Sequence, residues 1–72
     1  MSGATLVYSV PGVTCEHCRT AIVSEVGAVA GVESVSVDLD AKLVSVRGRD
    51  LSDGDVRVAI DEAGYDVLDV VP

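Results

Sequence analysis

The sequence has no tryptophan and no phenylalanine, and it holds only two tyrosines, two prolines, two cysteines and one histidine. Most of its apolar side chains are small, and sixteen of them are valine. A core of such residues in a chain this short supplies only about 3–5 kcal/mol of stability. Length and composition therefore predict a single small domain over residues 1–72, whose stability a bound ligand would raise noticeably.

Basic residues are also scarce, because five lysines and arginines stand against twelve acidic residues, for a net charge of −7. This charge argues against nucleic-acid binding, since phosphates require a basic surface. Attraction to an anionic membrane surface is disfavoured for the same reason. The acidity indicates either a solvated surface or attraction to a positively charged protein partner.

Long apolar runs are missing as well. No segment reaches the roughly 20 apolar residues of a membrane-spanning helix. The start, MSGATLVYSV, lacks the basic residues of a secretory signal. We therefore expect a cytoplasmic protein without membrane insertion. In that reducing compartment, two neighbouring cysteines are typical of metal binding or redox chemistry rather than of a structural bridge.

Apolar residues recur at strand spacing in some segments of the chain and at helical spacing in others. Period-two alternation predicts strands over residues 4–10, 31–40, 42–48 and 66–71. Helical spacing predicts a first helix over 16–30, capped by Gly31, and a second between an N-cap at Ser52 and a C-terminal cap at Gly64. The order βαββαβ predicts a ferredoxin-like α+β fold, with two helices on one face of a four-stranded antiparallel sheet.

This topology also predicts which loops meet. Following the chain up and down the sheet brings three connections to one end: the loop at Pro11-Gly12, the hairpin turn at Asp40-Ala41, and Gly64-Tyr65. Gly64-Tyr65 should therefore lie near the cysteines.

Both cysteines fall in the segment PGVTCEHC, residues 11–18, directly after a proline-glycine turn. A bridge between Cys15 and Cys18 would close a loop of a few residues and add little stability. The start of a helix instead favours thiolate over thiol, through its free N–H groups and partial positive charge. The pair is therefore predicted to serve metal binding or disulfide exchange.

The number of ligands separates these uses. Iron–sulfur clusters take four thiolates, and structural zinc takes four ligands where Cys15, Cys18 and His17 give at most three. A soft monovalent ion that needs only two thiolates fits best, which among biological metals means Cu(I). Thiol–disulfide exchange stays an alternative, although Thr14 and Arg19 stand where thioredoxin-like motifs usually carry an aromatic residue and a proline.

The motif GVTCEHC, residues 12–18, between a strand and a helix resembles the heavy-metal-associated domain family, whose pattern is GMTCxxC. The whole chain is similar to the stand-alone bacterial copper-chaperone form, which also has the Gly64-Tyr65 pair. The resemblance implies that Cys15 and Cys18 hold Cu(I) without enzymatic turnover. It further implies transfer by ligand exchange to a copper-transporting P-type ATPase, with a copper-responsive regulator as a second candidate partner.

The resemblance also assigns expectations to neighbouring residues. Val13 replaces the usual methionine and should pack under the loop without binding metal. His17 is either a third ligand, a group that tunes the thiolates, or a solvated residue. Tyr65 either shields the metal or simply begins the last strand. The acidic residues near that corner either contact a basic partner or form a solvated rim; they are Asp61, Glu62 and Asp66.

Three alternatives remain at the level of the whole protein. Carriers of Zn(II), Cd(II) or Hg(II) share the fold and the motif type. The chain could also be an excised N-terminal domain of a transport ATPase, although Met1 and the end at Pro72 favour a stand-alone protein. Two thiolates leave Cu(I) unsaturated, so we expect a metal-free monomer and copper-bridged dimers after loading.

Overall fold

A computed structural model describes residues 4–71. The elements follow one another as β1 (Ala4–Ser9), α1 (Glu16–Gly27), β2 (Val32–Asp38), β3 (Leu43–Gly48), α2 (Asp53–Glu62) and β4 (Asp69–Val71). The strands form one sheet in the order β2-β3-β1-β4, and every neighbouring pair is antiparallel. The ferredoxin-like prediction is confirmed.

The core lies between the helices and one face of the sheet. Every second residue of β1 and β3 points into it, as the period of a strand requires, and α1 and α2 add residues at helical spacing. The buried set is Tyr8, Val10, Val13, Cys18, Ile22, Val26, Val44, Val46, Val56, Ala59 and Ile60. Through Val10, Val13 and Cys18 the core extends into residues 10–18, the segment that is predicted to bind metal and is called the metal loop below.

Tyr8 is the one aromatic residue among these fully buried side chains. Its hydroxyl donates a hydrogen bond of 2.7 Å to Oδ1 of Asp53, at the start of α2. Arg57 holds the other carboxylate oxygen at 2.9 Å and lies 5.9 Å from the centre of the tyrosine ring. Burial, followed by the bond to Asp53, raises the pKa of Tyr8, so the hydroxyl stays protonated and ties β1 to α2.

Helix α1 is shorter than the sequence pattern predicted. It ends at Gly27 rather than at residue 30, with Ala28 as its C-cap. The amide of Val29 still bonds the carbonyl of Val26 at 3.0 Å, which continues the chain as a tight turn after the helix has ended. Gly31 was wrongly predicted as the cap. Its φ of 89° reverses the chain into β2 instead.

The strands are also shorter than predicted. The first ends at Ser9, and the hairpin strands stop short at Asp38 and begin at Leu43, because residues 39–42 form the turn. The last strand covers only residues 69–71 rather than 66–71. Residues 65–68 lie outside the strand, although the amide of Leu68 still donates to the carbonyl of Ser9 at 2.7 Å.

The predicted caps of α2 are confirmed. Ser52 is the N-cap, and its Oγ accepts a bond of 3.4 Å from the amide of Asp55. At the other end the amides of Gly64 and Tyr65 donate to the carbonyls of Asp61 and Ile60, at 2.9 and 3.2 Å, while Gly64 adopts φ of 97°. This is a Schellman motif, which fixes the direction in which Tyr65 leaves the helix.

The opposite end of the sheet is closed by two glycines in contact. Gly48 ends β3 opposite Ala4, and the carbonyl oxygen of Gly31 lies so close to it that a Cβ atom on Gly48 would overlap with that oxygen. Leu51 covers the same spot, with its Cδ2 atom 2.9 Å from where the Cβ would be. The backbones of the two segments therefore pack together only because neither carries a side chain.

The three connections predicted to meet do so. The amide of Val10 donates to the carbonyl of Lys42 in the hairpin turn at 2.9 Å, and the ring of Tyr65 lies against Gly12. Between residues 4 and 71 no helix is long and apolar enough to cross a membrane.

Candidate metal centre

Cys15 and Cys18 occupy the first turn of α1. Cys15 is the N-cap, and its carbonyl accepts the amides of Cys18 and Arg19 at 3.1 and 3.2 Å. The side chain of Cys15 makes no capping hydrogen bond, so the first N–H groups of the helix remain available to an anion beside them. Cys15 is exposed, whereas Cys18 faces the core on the stripe that continues through Ile22.

The two sulfur atoms lie 3.5 Å apart, and both cysteines are free. A disulfide would need a distance of about 2.05 Å. With metal–sulfur bonds of about 2.3 Å, one ion bound to both sulfurs at a bent angle gives a similar separation, and a linear arrangement gives about 4.6 Å.

The surroundings of Cys18 lower the pKa of its thiol. Its pKa falls to about 6, first because the backbone N–H of Thr14 donates to the sulfur and next because the hydroxyl of Tyr65 does so. Burial acts in the opposite direction but is outweighed. The lowered pKa favours the thiolate of Cys18 at neutral pH, which is the form that binds a metal ion or reacts.

Tyr65 covers this thiolate. The Schellman motif directs it from α2 toward the loop, where Gly12 leaves room for its ring: a Cβ at Gly12 would lie 3.3 Å from Cδ1 of Tyr65. The hydrogen bond to Cys18 raises the pKa of Tyr65, with burial as the next cause. The prediction that Gly64-Tyr65 lie near the cysteines is confirmed.

Replacing Tyr65 by phenylalanine is expected to raise the pKa of Cys18, because one donor to the thiolate is lost while the ring is kept. Because hydrogen bonds to a charged group are among the stronger ones, we expect the acidity of Cys18 to fall roughly tenfold. Thiolate absorbance of the metal-free protein, followed from about pH 4 to 9, measures the shift. Tyr8→Phe is the control, since it removes a hydroxyl that bonds Asp53 instead. Identical Tyr65→Phe and wild-type curves would contradict the assignment.

The sign of this titration also predicts a stability change. The pKa of Cys18 is lower in the folded protein than in the unfolded chain, so the thiolate stabilises the fold above the unfolded value and this stabilisation is lost as the pH falls through about 6. Tyr65→Phe should reduce that pH dependence.

His17 lies between the two cysteines and is exposed. Across residues 4–71 there is no group of three or more His, Cys, Asp or Glu side chains placed to hold one ion. A ligand role for His17 thus needs a rearrangement or a second molecule, and it stays a prediction. Beside it, Glu16 and Arg19 pair at 2.6 Å and neutralise each other.

The remaining predicted residues are placed as follows. Val13 is fully buried beneath the loop, as expected for the residue at the methionine position. The acidic side chains of the nearby corner are all exposed, and their role in partner binding stays a prediction; they are Asp61, Glu62 and Asp66.

Two features of the site escaped the sequence reasoning. One is the backbone N–H of Thr14, which any residue would supply. The other is Lys42, whose Nζ donates to the carbonyl of Val13 at 3.4 Å. The only signal in the sequence was the topology, which placed the hairpin turn at this end without singling out its lysine.

Comparison with known proteins gives the family. The sequence profile of the heavy-metal-associated domain matches residues 7–66, from β1 to beyond Tyr65. The chain belongs to the heavy-metal-associated domain family. The resemblance seen in GVTCEHC is thereby confirmed.

Relatives of this heavy-metal-associated domain include the copper chaperone CopZ of Staphylococcus epidermidis, 40% identical over 63 residues that span 85% of this chain and 93% of CopZ. A solved structure of the CopZ metallochaperone superposes with a TM-score of 0.81 at 35% identity, covering 93% of this chain and all of that one. Oxidized MerP from Ralstonia metallidurans superposes at 0.88 with 29% identity, covering 99% and 100%. Chaperones are carriers, which supports the prediction of a metal-carrying protein rather than an enzyme.

Proposed function

We propose that the chain is a cytoplasmic Cu(I) chaperone that binds one ion through the thiolates of Cys15 and Cys18. The observation that carries the proposal is the pair of free sulfurs 3.5 Å apart at a helix start whose N-cap side chain makes no hydrogen bond. The lowered pKa of Cys18 supports it. The similarity to copper chaperones supports copper as the cargo.

The ligand set favours Cu(I) over divalent ions. Thiolates are soft ligands, and Cu(I) is the soft ion among the common biological metals. A structural zinc site takes four ligands, whereas the part of the chain that the structure describes brings no third His, Cys, Asp or Glu to the two sulfurs. An ion held by two ligands is also accessible to an incoming third one.

Accessibility supports delivery by ligand exchange to a copper-transporting P-type ATPase. Cys15 is exposed and Cys18 is buried, so a partner thiolate reaches the ion from the side of Cys15. The partner sulfur bonds first, giving three-coordinate copper, and Cys15 then leaves as a thiolate stabilised by the helix start. The acidic charge of −7 suits a partner with a basic surface, whether this ATPase or a copper-responsive regulator.

Metal-edge X-ray absorption on anaerobically loaded protein tests the proposal. We expect one equivalent of Cu(I), sulfur as the only ligand type at low loading, and competition with a strong Cu(I) chelator. A parallel disulfide-reductase assay tests the rival function, which the short sulfur–sulfur distance and the acidity of Cys18 favour. Turnover in that assay together with weak copper binding would contradict the chaperone proposal and favour a thiol–disulfide oxidoreductase.

His17→Gln is expected to retain one Cu(I) per chain but to change the copper-bridged species formed at higher loading. A neutral imidazole beside the thiolates can add a nitrogen ligand when two molecules share copper, and glutamine cannot replace it. Sedimentation at increasing copper ratios compares the two proteins at two pH values, since only the difference between them reports His17. Superimposable profiles would make His17 a solvated surface residue, and monomers at every ratio would contradict the dimer.

A further inference from the structure

The turn between β2 and β3 contains a lysine in an unusual backbone conformation. Lys42 has φ of 59°, in the left-handed region that favours glycine or asparagine and disfavours a residue with a long side chain. Asp38 supports the turn by accepting the amides of Asp40 and Ala41 at 3.0 Å each. Glycine would adopt this φ at a lower conformational cost. We therefore ask which contacts the lysine side chain makes that glycine could not.

Lys42 bonds the metal loop twice. Its carbonyl accepts the amide of Val10 at 2.9 Å, and its Nζ donates to the carbonyl of Val13 at 3.4 Å. Val10 and Val13 are both fully buried, and the amide of Val13 bonds the carbonyl of Val10 at 3.2 Å. The segment before Cys15 is therefore held by the core on one side and by Lys42 on the other.

Lys42 also brings a charge that no carboxylate neutralises among the described residues. The ion pairs take up three arginines, Arg19, Arg49 and Arg57. The remaining cation, Arg47, is exposed and lies five positions further along β3, opposite Thr5 and Ser34 and away from the metal loop. The net charge of the chain is −7. Among the described residues, Lys42 is thus the cation without an ion pair at the end of the sheet that carries the cysteines.

We propose that Lys42 is a positioning residue of the metal site, which clamps the backbone before Cys15 and biases the thiolates toward a monovalent ion. The second part rests on the proposed function. Two thiolates with Cu(I) carry a net charge of −1, whereas two thiolates with Zn(II) are neutral. An ammonium group held 3.4 Å from the carbonyl of Val13, two residues before Cys15, stabilises the anionic complex relative to the neutral one.

The clamp is tested on metal-free protein by amide exchange and 15N relaxation at Val13 and Thr14. Lys42→Gly removes the ammonium but suits the left-handed backbone, so we expect loop amides that exchange several-fold faster without a loss of thermal stability. Lys42→Arg should keep the wild-type protection, because it restores a cationic donor of similar reach. Unchanged loop amides in Lys42→Gly would overturn the clamp.

The ion bias is tested by competition titrations with Cu(I) and Zn(II). In Lys42→Gly and Lys42→Met the ratio of Cu(I) to Zn(II) affinity should fall roughly three- to tenfold, and less at high salt. Arg47→Met is the matched control, with the same change of net charge away from the loop, and should leave the ratio unchanged. An equal fall in Arg47→Met, or no fall in Lys42→Gly, would overturn the bias. Failure of the wild type to bind Cu(I) would refute the proposed function, while the exchange measurement still decides the clamp.

Discussion

Replacing Cys15 and Cys18 together by serine is expected to lower Cu(I) affinity by at least about 10⁴-fold while the fold is retained. The double variant removes both soft ligands, and the described part of the chain offers no other cluster that could hold an ion. Serine is a good N-cap, so Cys15→Ser should stabilise α1 by about 0.5–1 kcal/mol. This gain offsets part of the cost of placing a hydroxyl at the buried position 18.

Competition against a Cu(I) chelator under anaerobic conditions measures the loss, and circular dichroism measures the fold. The single variants separate the two sulfurs: Cys15→Ser should keep the buried thiolate and the bond from Tyr65, whereas Cys18→Ser loses both. Chelator-resistant copper in the double variant would place the metal site elsewhere.

Much of the fold followed from the sequence because its two apolar periods are clear. Alternation around Val44 and Val46, and helical spacing through Ile22 and Val26, match the sides that the structure buries. The ends of the elements did not follow, because tertiary contacts fix them. The pattern through Val29 continues past the end of α1, since a residue in the following turn also packs on the core.

The location of the candidate site was also predictable from the sequence, but its individual hydrogen bonds were not. The cysteine spacing and the helix start were visible in the sequence, and the topology placed Tyr65 nearby. What the sequence could not show is the direction of single bonds, such as the N–H of Thr14 toward Cys18 or the Nζ of Lys42 toward Val13. These depend on loop backbone geometry, which residue types alone do not determine.

Gly48→Ala is expected to destabilise the metal-free protein by more than about 2 kcal/mol, a large part of the roughly 3–5 kcal/mol available to so small a core. The added methyl group would overlap with the carbonyl oxygen of Gly31, which belongs to the backbone and has no rotamer through which to move away. Thermal or urea unfolding measures the change. Gly54→Ala is the matched control, because its Cβ in α2 meets nothing within 4 Å and alanine is the better helix former.

Copper should partly restore Gly48→Ala, because position 48 lies at the end of the sheet opposite the cysteines and leaves the folded site unchanged. A ligand that binds only the folded state adds about 4 kcal/mol of stability when its free concentration is a thousand times the Kd. Anaerobic Cu(I) should therefore raise the unfolding midpoint of Gly48→Ala, but not that of the same protein carrying Cys15→Ser and Cys18→Ser. If metal-free Gly48→Ala unfolded at the same midpoint as metal-free wild type, the backbone around Gly31 would accommodate the added methyl group, and the predicted destabilisation would be wrong. Equal rescue with and without the cysteines would show that copper stabilises the fold at some other place.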